Sequence, residues 1–207
     1  VPDNPLGQAA INHLRRFGID PSYVLRGGER LGIYFLETGA SQRPSKVIYD
    51  RKNSSLAQLE TGEIPWEKVF QEATWFHFTG ITPALGDNVV SSLKEALIVA
   101  KKAKVIVSCD LNFRKNLWTP SKAQVIMTEL MEFVDILIGN EVDADKVFGI
   151  KADATDVDKG QIHSDSYQSV AAKLKEKFNC RIVAITLRES YSAFDNGWSA
   201  LLYDGST

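Results

Sequence analysis

Cysteine and histidine are scarce in this chain. Among its 207 residues are two cysteines and three histidines, and Cys109 and Cys180 each lie in an apolar run with no second cysteine or histidine at metal-ligand spacing. Neither a structural zinc site nor a disulfide framework is supported, and both read as buried thiols in a reducing compartment. An excess of one charge is also missing. The 24 basic and 26 acidic side chains leave a formal net charge of −2, without a lysine- or arginine-rich block. Such a chain has no footprint for binding a phosphate backbone. No run approaches the roughly 18 apolar residues of a membrane helix, and no charged region followed by an apolar one opens the chain. These absences predict a cytoplasmic protein with neither a nucleic-acid nor a membrane partner. The phosphate-cradling GxxxxGK[ST] motif and a GxGxxG following a strand are absent as well. His13, His77 and His163 have no nucleophile paired with them, which disfavours a serine or cysteine hydrolase.

What is present is the composition of an ordinary globular domain, 44% hydrophobic and 24% charged. A first helix is predicted over 6–17, with Ala9, Ala10, Ile11 and Leu14 on its apolar face. Two alternating runs, 30–37 (RLGIYFLE) and 45–51 (SKVIYDR), suit a half-exposed antiparallel pair. From about residue 65 the texture changes. Apolar strands at 75–80, 104–111, 134–139 and 181–187 alternate with helices at 86–102, 121–133, 141–148 and 167–178. This order predicts a parallel sheet covered on both faces by helices. The Asp-rich segment 149–166 reads as an exposed connection without function. A strand at 198–203 is followed by Asp204-Gly205-Ser206-Thr207, a hairpin signal with no strand after it, which reads as a chain that stops within a motif.

In open α/β sheets, ligands bind beyond the carboxyl ends of the strands. Four polar clusters are expected there: Thr79-Gly80-Ile81-Thr82-Pro83, Asp110-Leu111-Asn112-Phe113-Arg114-Lys115, Asn140-Glu141-Val142-Asp143 and Thr186-Leu187-Arg188-Glu189-Ser190. Each has a plainer reading. Asp110 and Asn112 suit Asx-turns, Gly80 suits an ordinary turn, and Arg114 and Arg188 suit a solvated surface. Their joint occurrence places two guanidiniums beside acids that could hold Mg²⁺, which points to an anionic substrate and phosphate chemistry.

The runs RLGIYFLETGASQRPSKVIYDR, FHFTGITPAL, VSCDLNFRKNLW, GNEVDADKVFGI and AITLRESYSAFDNGWSALLYDG, in this order, span essentially the whole chain. Together they resemble the ribokinase-like (PfkB) carbohydrate kinases, and within that family they are most similar to the 2-keto-3-deoxygluconate kinases. The resemblance implies a Rossmann-like α/β fold with a small β-sheet lid over the sugar, the lid strands falling at about 30–51 and the core at about 65–207 of a single, incomplete domain. It implies a homo-oligomer built through the lid, with a small sugar acid as the partner molecule. It also implies phosphorylation of 2-keto-3-deoxygluconate to its 6-phosphate, with ATP and Mg²⁺ as cofactors.

By motif position, Tyr34, Tyr49, Arg51, Ile81 and Arg114 would bind the sugar acid, although the tyrosines also suit plain packing of the lid face. Asn140, Thr186, Arg188 and Ser190 would face the nucleotide. Asp143, standing where the family's N-x-x-E motif carries Glu, would contact the metal indirectly. Glu189 stands where many relatives carry small residues. No catalytic residue is expected within this chain, because the G-A-G-D segment with the anion hole and the Asp base would follow Thr207. A Gly-Gly-x-x-x-Asn-type sugar-contacting turn would precede Val1. These 207 residues alone are therefore expected to bind weakly and turn over hardly at all. Fructose, ribose or another keto sugar acid remains an alternative substrate, a nucleoside kinase an alternative of the same fold, and a non-catalytic sugar-acid binding protein an alternative class.

Overall fold

In the computed structural model, which describes residues 1–151, 164–193 and 195–206, side-chain caps open several of the helices. The chain runs α1 (Pro5–Arg16), β1 (Ile33–Glu37), β2 (Lys46–Asp50), α2 (Trp66–Val69), β3 (Trp75–Thr79), α3 (Asp87–Lys102) and β4 (Ile106–Asp110). It continues through α4 (Pro120–Met131), β5 (Ile136–Gly139), α5 (Glu141–Phe148), α6 (Ser164–Phe178), β6 (Ile182–Ser190) and β7 (Asn196–Tyr203). Asn4, Thr119 and Asn140 each accept a backbone N–H three residues on, opening α1, α4 and α5. Prolines at the first helical position of α1 and α4 add their preset φ.

Two sheets result. β1 and β2 pair antiparallel, with Tyr34 opposite Tyr49 and Phe35 opposite Ile48. The second sheet has the order β3-β4-β5-β6-β7, parallel as far as β6, with β7 returning antiparallel. Alternation along its strands sends Phe78, Val107, Cys109, Leu137, Val183, Ile185 and Leu187 to one buried face. There they join Leu93, Ala96, Leu97 and Ala100 of α3, Met127 and Leu130 of α4, and Val170 and Leu174 of α6 in one cluster. The three- and four-residue spacing of these helical positions is what forms the apolar stripes.

The mostly parallel sheet, its helices and the small antiparallel sheet agree with the fold class read from the sequence. Three expectations change. Among the described residues only one face of the large sheet is covered: Trp75, Trp198 and Leu202 on the other are 52%, 67% and 69% exposed. Strands added in sequential order through crossovers of one hand place every crossover helix on the same side. Second, the β1/β2 pair is exposed on both faces rather than one, since all five residues of β1 are exposed. Third, residues 186–190 do not follow the last parallel strand but belong to it, because β7 pairs with β6 as far as Ser190↔Asn196. Sequence periodicity also missed α2, whose Trp66 stacks on Phe70 with a ring-centroid separation of 5.5 Å. The Asp-rich connection falls largely on 152–163, with His163, outside the described residues. After β7 the chain bends at Asp204 and Gly205, with Ser206 N donating to Asp204 Oδ1.

Leu97 is fully buried between α3 and the sheet. Leu97→Ala is expected to lower stability by about 2–5 kcal/mol, seen in urea unfolding as a lower midpoint at unchanged slope. A loss below about 1 kcal/mol would show that this cluster is not the core.

Candidate active site

The carboxyl ends of β3, β4 and β5 meet in a joint with no room for side chains. Gly80 N donates to Asp110 O at 2.8 Å, and a Cβ on Gly80 would stand 2.1 Å from Leu111 O. On the other side Leu111 N donates to Ile138 O, and a Cβ on Gly139 would stand 3.0 Å from the Leu111 side chain. From this joint the chain turns outward through Asn112, whose φ of 40° lies in the left-handed region that asparagine tolerates. Asn112 Nδ2 donates to Thr79 Oγ1 at 3.1 Å, which holds the turn against β3. Thr79-Gly80-Ile81 and Asp110 to Arg114 thus form one edge, as their sequence positions predict.

Asn140 and Asp143 close that edge from α5. Asn140 Oδ1 accepts from Asp143 N at 2.8 Å, and Asp143 Oδ1 accepts from Phe113 N at 3.1 Å. The Asp143 side chain is buried, with 6% exposure. Burial pushes its carboxyl up to about 6; the Phe113 amide opposes the rise and the charge of Asp110 adds to it. Asp110 is likewise raised by burial, against the Asn112 amide and the positive charges of His77 and Arg114. Arg114 NH1 donates to Phe113 O at 3.0 Å.

The small antiparallel sheet has a separate cluster beside it. A cleft of about 800 Å³ has walls that include Arg30, Arg51, Glu63, Ile81 and Leu85. Arg30 is spent on Asp50, with NH1 to Oδ1 at 2.8 Å and NH2 to Oδ2 at 2.6 Å. Arg26, also in the wall, donates to Pro2 O and Gln8 Oε1. Arg51 instead lies over the Tyr49 ring, 4.5 Å from its centroid. Among the described residues its guanidinium has no hydrogen-bond or ion-pair partner. Tyr34 and Tyr49 stand across from each other, 6.3 Å between centroids, on the same face of the β1/β2 sheet as Arg51. The cleft thus brings Arg51 and Ile81 together; Arg114 and the two tyrosines are not part of its wall.

On β6, Thr186 Oγ1 donates to Gly139 O at 3.3 Å, tying the strand to the α5 entrance. Arg188 Nε and NH2 donate to Asn196 Oδ1 at 3.0 and 2.9 Å, and its Cζ is 5.5 Å from the centroid of the Trp198 ring. Ser190 Oγ donates to the same Asn196 oxygen. Glu189 is engaged by the Tyr191 hydroxyl, and the partners that hold Arg188 among the described residues, Asn196 and the Trp198 ring, are neutral.

Sequence reasoning missed the segment that forms the cleft's far wall, Ser54, Leu56, Gln58 and Leu59. It is held by Asn88 Nδ2, which donates to Ala57 O at 3.0 Å and to Leu59 O at 2.8 Å. The signal available was Asn88 itself, an amide in the first turn of α3 with no helical partner to satisfy it.

The raised carboxyl of Asp143 has a consequence for stability. An unfolded carboxyl titrates near 3.8 and the folded one near 6, so the folded chain holds the proton more tightly and loses stability as pH rises through that interval. Asp143→Asn is expected to stabilise the fold by about 1–3 kcal/mol near pH 7.5, with the gain vanishing near pH 4. Thermal unfolding across this range checks it; a gain that grows on acidification would mean that the charge stabilises the fold.

Comparison with known proteins bears on the family and the fold. The model of the pfkB family of carbohydrate kinases matches residues 1–189. A 2-dehydro-3-deoxygalactonokinase of Haloferax volcanii is 34% identical over 154 residues, covering 74% of this chain and 48% of its own. A 2-dehydro-3-deoxygluconokinase of Bacillus subtilis is 32% identical over 130 residues, covering 62% and 39%. Among solved structures, the 2-dehydro-3-deoxygluconokinase of Thermotoga maritima superposes with a TM-score of 0.93 at 48% identity, over 99% of this chain and 60% of its own. The chain spans about half the length of the first of these relatives and about three fifths of the Thermotoga structure. It belongs to the pfkB family of carbohydrate kinases.

Proposed function

We propose that this protein is an ATP-dependent kinase of a keto sugar acid, transferring a phosphoryl group to the 6-hydroxyl of 2-keto-3-deoxygluconate. The observation that carries this reading is Arg51. Alone among the three arginines of the cleft wall it has no hydrogen-bond partner among the described residues, and it is pre-oriented on Tyr49. A carboxylate-bearing ligand supplies the partner such a guanidinium lacks. The kinases named above for 2-dehydro-3-deoxygluconate and 2-dehydro-3-deoxygalactonate support the same substrate class.

Tyr34, Tyr49, Arg51 and Ile81 would hold the sugar from the lid side and Arg114 its anionic end. Asn140, Thr186, Arg188 and Ser190 would face ATP, where Arg188, with its neutral partners, suits a phosphate. In phosphoryl transfer the protein contributes chiefly by placing the reactants and stabilising charge on the transferring group. For Mg²⁺ the fit is poor. Among the described residues no three His, Cys, Asp or Glu side chains are grouped to hold a metal, and Asp143 is turned to Phe113 N. The ion would rest on the nucleotide's phosphates and on water. Among the described residues no helix is long and apolar enough to cross a membrane. A cytoplasmic location suits ATP chemistry and the two free, buried thiols.

The lid also serves as the proposed contact with a second copy. Its face opposite the tyrosines presents Ile33, Phe35 and Ile48, 44%, 59% and 55% exposed, a contiguous apolar surface of the kind that pairs. Phe35→Lys is expected to convert an oligomer to monomer in light scattering; an unchanged mass would place the contact elsewhere.

The substrate reading is tested with full-length protein in a coupled ADP assay on 2-keto-3-deoxygluconate, its galacto epimer, fructose and ribose. The keto acids are expected to be strongly preferred. Arg51→Ala is expected to lower kcat/KM for them about 10- to 100-fold, the worth of a charge-assisted hydrogen bond, and to leave any fructose activity within about threefold. Equal loss on neutral and acidic sugars would remove Arg51 as the carboxylate anchor, and a preference for a neutral sugar would overturn the substrate.

A further inference from the structure

The Asp143 carboxylate does not do what an acid at the third position of a capping box does. In that motif the side chain turns back to the helix's own N-cap amide. Asp143 turns instead to another segment of the chain: Oδ1 accepts from Phe113 N at 3.1 Å, thirty residues away in sequence. Phe113 is therefore held at both of its peptide groups, its N–H by Asp143 and its C=O by Arg114 NH1 at 3.0 Å.

The residues that lead to Arg114 have no secondary structure of their own. They are tied one by one: Leu111 N to Ile138 O, the Asn112 amide to Thr79, Phe113 N to Asp143, and Arg114 O from Leu117 N at 2.9 Å. Of these four ties only the one from Asp143 comes from an ionisable side chain, and the residue is nearly inaccessible to solvent or to a hydrated ion. A carboxylate accepting a backbone N–H in such a place makes a strong and directional hold.

We propose that Asp143 is a positioning residue for the sugar acid: through Phe113 it sets where Arg114 presents its guanidinium. This rests on the reading of Arg114 as the partner of the substrate's anionic end. Loss of the hold would let the loop carry Arg114 away from its productive place and weaken the sugar acid, leaving the nucleotide and its metal as they were. An acid acting through water on Mg²⁺ would have the opposite signature.

The two are separated by steady-state kinetics on full-length protein, with sugar acid, ATP and Mg²⁺ varied in turn. Asp143→Ala is expected to raise KM for the keto acid about tenfold, with KM for ATP and the half-saturating Mg²⁺ concentration within twofold of the parent. Asp143→Asn keeps an oxygen that accepts from Phe113 N and is expected to recover the keto-acid KM to within about threefold. In an Arg114→Ala background, Asp143→Ala is expected to add nothing. A Mg²⁺ requirement raised by Asp143→Asn overturns the proposal, as does an Asn variant as weak for the sugar acid as the Ala variant. The near-isosteric Asn variant decides alone if the Ala variant does not fold. Amide exchange at Phe113, slow in the parent and the Asn variant and fast in the Ala variant, reads the hold without any substrate. If the parent phosphorylates no keto acid while Phe113 shows that pattern, the substrate reading falls and the hold stands.

Discussion

A hydrogen atom where any other residue would carry Cβ governs the site. Because Gly80 has no side chain, the end of β3 closes on the Leu111 carbonyl, and the three parallel strand ends come level. Any larger residue would push the backbone of one strand away, and the displacement would pass directly into the turn that carries Asn112, Phe113 and Arg114. The polar groups at this edge are placed by a packing constraint before they are placed by any attraction among themselves. The electrostatics then act on a geometry that is already set. Two carboxylates, half-buried Asp110 and buried Asp143, both feel the Arg114 guanidinium, and burial keeps their proton affinities high.

Much of this was legible in the sequence because it is local. Apolar runs of strand length alternating with three- and four-residue periodicity located β3 to β6 and their helices. The cluster Thr79-Gly80-Ile81 and the run from Asp110 to Arg114 could be assigned to one sheet edge from connectivity alone. The family resemblance supplied the roles proposed for them, which periodicity could not.

The rest depended on contacts between distant segments. Arg30 and Arg51 are both lid arginines in the sequence, and only the position of Asp50 opposite Ile33 decides which of them is neutralised. The far wall of the cleft has no periodicity and is held by Asn88, about thirty residues on. Residues 186–190 read as a loop because their polarity resembles one; pairing with β7 makes them strand. The motif position of Asp143 suggests an acid near a metal, and the bond that its Oδ1 accepts from the Phe113 amide is one that no side-chain pattern reveals.

The sequential order of the large sheet bears on how the chain reaches this state. Among the described residues, each strand from β4 to β7 docks beside the one that precedes it in the sheet's chain order, so none of these pairings reaches past an intervening strand. Loop-closure entropy grows only slowly with the span closed, and low contact order favours rapid collapse. Pairing can therefore advance in register with synthesis, β3 providing the template for β4 and each later strand extending an edge that already exists. On the β4 side of β3, the edge left open at any moment is the one the next strand covers, which shortens the time during which that parallel edge is available to another molecule.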